Sequence, residues 1–522
     1  MDLNTLPPDI FEIVLTYLDL NTVKALRLTD RKLAKKCIGP RFLGSIQQPI
    51  CDVSSQTLRS LRALSCNPAL SKMIHSLTFL ATNLDASKLE KNVESGKYDE
   101  VKVHGRMFER TTIPYSAEGL SEAKSDLNWL KEQQRARVNE SSSEMIELLQ
   151  LSLRGFNPIH SIRLDGALIL GRTQRASTEK GAWHPFWMRA SQVFSWIVTA
   201  IVQSGSSVKK LDVYRSTPRC CIPSSHITTY ASDLDLKQLG TLCENLESLE
   251  LSMSAEIQND LDIAEVDEDA LETDEGSETE SDYGASREGH LSWKDPRAVL
   301  ADTTPGITSL LKSAPALREL DLFFRNALQD GALDSYDRII ESIADETQFP
   351  ELERCALSGF MAKEESILLF LRKHPNLRSF TLHECNLTTG SWNPIFSHLE
   401  RSMPKLDNLS LSNLSGKHTQ CLRYLRMDAA SNSNTEGQDE EEDEQEVDRM
   451  VNLKPIWDSD RPARWTSFLY FQGRLTHTRS FNREELKKGL VFWPIITTHG
   501  RSKGCPEAWR WRQSRRALYG PP

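Results

Sequence analysis

The chain has 522 residues, too many for one ordinary hydrophobic core at roughly 100 to 200 residues per domain, so two folded parts or one long array are expected. Apolar residues make up 39% and charged residues 26%, with a mean hydropathy of -0.45, a balance that leaves room for substantial solvated segments. A net charge of -10 argues against a generic binder of polyanions.

Met1 to Asp9 carries two acids, two prolines and no cation, which is not the pattern of a secretory leader. No window approaches the roughly 20 consecutive apolar residues that span a bilayer, so no membrane contact is expected and the cytoplasm, the nucleus or both are the expected location. The ten cysteines include no C-x-x-C pair. Neither a zinc site nor a disulfide framework is therefore expected, and the thiols read as small reduced core residues.

Residues 1–45 form the first expected domain. The run Leu6-Pro7-Pro8-Asp9-Ile10-Phe11-Glu12-Ile13-Val14-Leu15-Thr16-Tyr17-Leu18 opens with prolines, which suit a first helical turn whose N–H groups lack intrahelical partners. Asp9 and Glu12 lie near the positive end of the helix dipole. Leu6, Ile10, Ile13, Val14 and Tyr17 fall on one face. A second helix from Thr22 to Leu28 turns Val23 and Leu26 inward, and a third, from Thr29 or Asp30, supplies Leu33 and Cys37. Three helices this short cannot bury all the apolar surface they carry. Either the rest of the chain covers the remainder, or a partner's helices complete the bundle.

The order L-P-P-D-I-x-x-I-V-L-x-Y-L-D-L-x-x-V-K-A-L-R-L-T-x-R-x-L resembles the F-box, over about 45 residues of the chain. Where many members of that family carry a cysteine, a basic residue and a tryptophan in the third helix, this chain has Asp30-Arg31-Lys32-Leu33. The resemblance implies a partner, the Skp adaptor, and through it a cullin. It also implies an adaptor-binding face made of Leu6, Pro7, Ile10, Ile13, Leu18, Val23, Leu26 and Leu28.

Behind the helices, Thr57 to Leu64 and Asn67-Pro68-Ala69-Leu70 read as a linking helix and turn. Residues 46–430 then carry a recurring phrase: apolar, two polar, apolar, one polar, apolar. Copies begin at Ile159, Val208, Leu246, Leu317, Leu352, Leu377 and Leu406, and Met73 to Phe79 is a candidate for an eighth. Positions four and six alternate around a polar residue as a half-buried strand requires, and the leading apolar residue tucks under the preceding turn. Helical patterns at Glu364 to Leu371 and Trp392 to Leu399 each end ahead of a proline, Pro375 and Pro404.

Strand, loop, helix and proline turn make up the leucine-rich-repeat plan, whose period is about 20 to 29 residues. The last three copies are 25 and 29 residues apart, and the earlier spacings of 49, 38, 71 and 35 require insertions or irregular repeats. The expected fold is α/β: a three-helix F-box followed by an irregular leucine-rich-repeat-like solenoid with disordered acidic insertions, similar to the divergent repeats behind fungal-type F-boxes. An unrelated α/β domain is the alternative.

A polar, helix-prone stretch over 117–150 reads as a long exposed helix inserted in the array. Residues 256–290, rich in acids such as Asp267, Glu268 and Asp269, read as a disordered insertion in which Ser277, Thr279 and Ser281 suit acidophilic kinases. An acidic linker over 431–450 precedes a carboxyl tail, 451–522, with Trp457, Trp465, Trp493, Trp509 and Trp511 and a basic end at Arg510, Arg512, Arg515 and Arg516. Interleaved aromatics and cations are able to stack on bases, but packing against the acidic runs accounts for them as well, and nucleic acid is not an expected partner.

No phosphate loop, G-x-S-x-G or H-E-x-x-H occurs, and no histidine pairs with another ligand at metal spacing. The chain is therefore not expected to be an enzyme or to need a metal or cofactor. The function that follows is a substrate receptor of an SCF-type (cullin-RING) ubiquitin ligase, selecting a protein on strand-face side chains such as Asp212, Glu250, Asp321, Thr381 and Ser410. The alternative is a non-catalytic repeat scaffold outside ubiquitin ligases.

Overall fold

The computed structural model describes residues 3–18, 20–38, 47–104, 107–156, 158–172, 174–176, 178, 183–217, 220–254, 305–325, 336–390, 392–412, 414–416, 451–452, 478–487 and 493–494. The acidic stretches 256–290 and 431–450, and most of the tail with Trp509 to Arg516, lie outside these residues. The chain divides into two compact units, residues 1–220 and 221–522, a boundary inside the stretch expected to form one array. Both units are mixed α/β.

The first unit opens with three helices, α1 (Pro8–Thr16), α2 (Leu20–Thr29) and α3 (Arg31–Lys36). Pro8 occupies the first turn of α1, where its missing N–H costs nothing. Asp30 caps α3 by accepting the Lys32 N–H at 3.0 Å. Phe11, Leu15, Val23, Leu33 and Cys37 form a small core here, with Leu6, Leu18, Leu26 and Leu70 packed on it.

Four parallel strands follow in the order β1 (Ile50–Asp52), β2 (Ser76–Leu84), β5 (Ser161–Ile169) and β7 (Lys210–Val213). Between β2 and β5 the chain makes a hairpin, β3 (Lys97–His104) against β4 (Met107–Pro114), that the sequence did not announce. After β5, a two-residue strand, β6 (Arg175–Ala176), turns back antiparallel on it.

The expected exposed helix over 117–150 is corrected. It is two helices, Ala117–Val138 and Ser142–Gly155, and both are anchored. Leu127 and Leu130 join Ala86 and Ile169 in one cluster, and Met145, Leu149 and Leu153 are buried. A narrow stripe, Ala123, Leu127 and Leu130 at steps of four and three, seats a helix that is otherwise polar, and Gln134 Nε2 donates to Leu84 O at 2.8 Å while Arg137 pairs with Asp52 at 3.3 Å.

The second unit starts with β8 (Ile222–Pro223), parallel to β9 (Ser248–Ser254). From β9 the parallel order runs through β10 (Glu319–Arg325), β11 (Arg354–Ser358), β13 (Ser379–His383) and β15 (Asn408–Ser412). Within each unit the phrases form parallel strands in a shared register, those at Ile159 and Val208 with the candidate eighth in the first unit and the other five in the second. Position four aligns Leu249, Leu320, Cys355, Phe380 and Leu409, and position six aligns Leu251, Leu322, Leu357, Leu382 and Leu411. Every leading residue, from Ile159 to Leu406, is buried.

Within each unit the second residue of a phrase sets this register through its carbonyl, as at His160, Glu247, Arg318, Glu353 and Arg378. Arg318 O accepts the N–H groups of Glu353 (2.9 Å) and Arg354 (3.0 Å), and Glu353 O accepts those of Arg378 (2.8 Å) and Ser379 (3.0 Å). His160 O accepts Lys209 and Lys210 in the same way, at 2.9 Å each.

Each of the last three copies adds a short second strand, β12 (Met361–Lys363), β14 (Asn386–Thr389) and β16 (Ser415–Gly416), which together form a small parallel sheet. The corner between the two strands needs a left-handed residue. Gly359 takes it at φ +77°, donating to His383 O at 2.8 Å. Glu384 takes the equivalent place at φ +51°, donating to Ser412 O at 2.8 Å.

Helices Glu364–Lys373 and Trp392–Arg401 stand where the sequence places them. The tail, read as separate from the array, returns to it. After β17 (Val451–Asn452), strand β18 (Thr478–Asn482) pairs antiparallel with β15 and leads into a helix, Arg483–Lys487, while β19 (Trp493–Pro494) pairs with β17.

Candidate docking surface

On α1 the residues that turn inward are Phe11 and Leu15, each at most 1% exposed. Their burial turns the opposite side outward. Ile10 is 47% exposed, Ile13 53% and Tyr17 84%, at steps of three and four along one face. Pro7 is exposed at the head of the same helix, and Leu28 is 89% exposed at the end of α2. Exposed aliphatic and aromatic side chains in a row are the exception on a folded surface, because each leaves apolar area in water at roughly 25 cal/mol per Å².

The eight residues of the sequence-derived face separate into two groups. Pro7, Ile10, Ile13 and Leu28 are exposed, Leu6, Leu18 and Leu26 are half-buried against the small core, and Val23 lies inside it at 2% exposure. Val23 thus holds α2 against α1 and α3 and does not reach the surface. Tyr17, on the predicted face but outside the implied set, caps the end of α1 and is more exposed than Ile10 or Ile13.

Lys36, at the end of α3, was not singled out from the sequence. Its ammonium donates to Leu3 O at 3.3 Å and to Leu6 O, and lies 5.0 Å from the centre of the Phe11 ring. It ties the segment before α1 to the third helix, in reach of a cation–π attraction. Nothing in a linear pattern pairs a lysine with a carbonyl thirty residues earlier. Burial pushes the nearby Cys37 thiol above its ordinary pKa, partly offset by Arg27, so it behaves as a core residue.

The strand-face side chains form a second candidate surface. In the second unit, Glu250, Asp321, Ala356, Thr381 and Ser410 share one register position and are half-buried. Glu319 pairs with Arg354 beside them. In the first unit Asp212 is only 7% exposed, and it is engaged by Arg163 Nε at 3.4 Å and the Arg215 N–H at 3.3 Å. Arg163 also binds Asp165 at 2.9 Å, so the charge at Asp212 is already partnered within the unit.

Among the described residues no group of three or more His, Cys, Asp or Glu is placed to hold a metal ion, and no helix is long and apolar enough to cross a membrane. Seven of the eight described cysteines are buried free thiols, and Cys66 is exposed. No protein-family model matches the chain, and no curated protein matches it either.

Proposed function

We propose that the chain is a substrate receptor of a cullin-type ubiquitin ligase, with α1 to α3 acting as an F-box that docks on the Skp adaptor. The observation that carries this reading is the row of Ile10, Ile13 and Tyr17 left outward by a three-helix unit that already has its own core. A plain cap would turn that row inward. An adaptor helix laid along it would bury the row and reach Pro7 at the head of the same helix.

In this reading the parallel strands and their returning helices are divergent leucine-rich repeats. The spacing of 25 and 29 residues, the shared register and the paired short strands β12, β14 and β16 support that assignment. The repeat surface would select a protein substrate, and the transfer of ubiquitin would be chemistry of the bound partners.

Purified Skp adaptor tests the proposal. Ile10→Asp with Ile13→Asp places two carboxylates in the row while leaving Phe11 and Leu15 untouched. Adaptor capture should fall by ~100-fold or more, as expected for truncating central anchors of an interface. Equal capture by both forms, or none by the unsubstituted chain, refutes the docking assignment and favours a scaffold that never meets a cullin.

A further inference from the structure

The parallel order of the second unit stops at β15, and a strand at the end of a sheet presents a row of backbone N–H and C=O groups that any extended chain can pair with. Here the tail covers that row. Strand β18 runs antiparallel to β15 over five paired positions: Asn408 with Asn482, Leu409 with Phe481, Ser410 with Ser480, Leu411 with Arg479 and Ser412 with Thr478.

The cover is short and is joined to β16 only through residues 417–477. Its apolar anchors are Phe481, 2% exposed, and Leu486, 9% exposed. Asn482 and Glu485 close a reciprocal cap at the start of the following helix, with Glu485 N–H to Asn482 Oδ1 at 3.0 Å and Asn482 N–H to Glu485 Oε2 at 2.9 Å. Arg483 reaches Asp407 Oδ1 at 3.1 Å, but with 59% of its side chain exposed this pair adds little.

The sequence of β15 matches its own cover. A second β15 set antiparallel about Ser410 would put Asn408 where Thr478 stands, Ser410 where Ser480 stands, Leu411 where Phe481 stands and Ser412 where Asn482 stands. Four of the five places keep their polar or apolar character, and Leu409 in place of Arg479 is the single change. Two copies related by a two-fold axis are necessarily antiparallel at their common edge, which is the direction this edge already accepts.

We propose that the outer edge of β15 is a self-recognition surface that residues 478–487 keep closed, and that on their release it pairs with β15 of a second copy across a two-fold axis at Ser410. A tethered segment acts at an effective concentration on the order of millimolar, so the closed form prevails in the unsubstituted chain at micromolar concentration. The partner is thus this chain itself, and the tail sets whether the surface is open. The inference is independent of the docking of α1.

Light scattering on the full chain, with and without Phe481→Asp plus Leu486→Asp, tests it. The unsubstituted chain should be monomeric at ~50 µM and the double variant dimeric, and a peptide of residues 476–490 added in excess should return the variant to monomer. Register is read by Ser410→Cys in a background with Cys66→Ser, Cys421→Ser and Cys505→Ser. Residues facing each other across an antiparallel pair lie about 4.5 to 5.5 Å apart, within disulfide reach, so the opened variant should cross-link through residue 410 and the closed chain should not.

A folded, monomeric double variant overturns the proposal. So does a dimer that resists the peptide, or cross-linking that is equal in the open and closed chains. Phe481→Ala with Leu486→Ala carries the same test if the aspartates prevent folding as judged by circular dichroism.

Discussion

Acidification should loosen the second unit through one histidine. His374 is 1% exposed, and its ring lies against Phe349 and Phe370, with centroids 5.3 and 4.4 Å away. Its Nε2 accepts the Phe349 N–H at 3.0 Å while Nδ1 faces Phe370 O at 2.7 Å. An acceptor at Nε2 requires the neutral tautomer with the proton on Nδ1, which then donates to Phe370 O. Burial lowers the pKa of the ring from 6.5 to about 4; the Phe370 carbonyl opposes that shift, and Lys373 adds to it.

A histidine held neutral in the fold stabilises it fully above the unfolded pKa of 6.5. Between 6.5 and about 4 the unfolded chain binds a proton that the folded chain refuses, so stability falls as pH falls through that window and levels off below it. At pH 4.5 the loss from this one group is about 2 kcal/mol, at roughly 1.4 kcal/mol per pKa unit over most of the interval. Many carboxylates also titrate there, so the informative quantity is a difference of differences.

His374→Gln supplies an acceptor and a donor in nearly the same places without titrating. Hydrogen exchange of helix Glu364–Lys373, or denaturant unfolding followed by circular dichroism, should show the unsubstituted chain losing about 2 kcal/mol more than the variant between pH 7.5 and pH 4.5. Parallel pH dependence in the two proteins would refute the reasoning, as would an imidazole NMR titration centred near 6.5.

Two further outcomes follow from the packing. Leu377→Ala empties a leading position that is fully buried, and should cost about 2 to 5 kcal/mol in urea unfolding, whereas Ser410→Ala on the strand face should change stability by less than about 0.5 kcal/mol. Gly306→Ala should destabilise the second unit by about 1 to 3 kcal/mol in the same assay, because a Cβ there would meet Thr228 Cα at 2.4 Å and Ile227 O at 2.9 Å, both backbone atoms that cannot rotate away.

The repeated phrase was legible because it is local. A strand with its fourth and sixth residues buried and a leading residue under the turn needs a fixed spacing, and that spacing is written along the chain at Leu317, Leu352, Leu377 and Leu406. The helix ends ahead of Pro375 and Pro404 were legible for the same reason: the proline ring blocks the next turn wherever it occurs. The left-handed corner was half legible, as Gly359 advertises it and Glu384, forced into the same place by its neighbours, does not.

Tertiary structure decided what depends on distant partners. In α1 nearly every side is apolar, so periodicity alone could not choose between Ile10 with Ile13 and Phe11 with Leu15 as the inward pair. The packing of Val23, Leu33 and Cys37 chose Phe11 and Leu15. The helix at 117–138 looked exposed because a narrow apolar stripe and polar contacts such as Gln134 Nε2 to Leu84 O and Arg137 to Asp52, not a broad apolar face, hold it. Lys36 on the carbonyls of Leu3 and Leu6, and the antiparallel return of Thr478 to Asn482 onto β15, join residues far apart in sequence. The sequence alone determined the repeating strand and the three amino-terminal helices, whose signals lie within a few residues of one another. Only the folded chain settled which faces remain exposed and how its last parallel strand is covered, since both depend on contacts between residues that the sequence does not bring together.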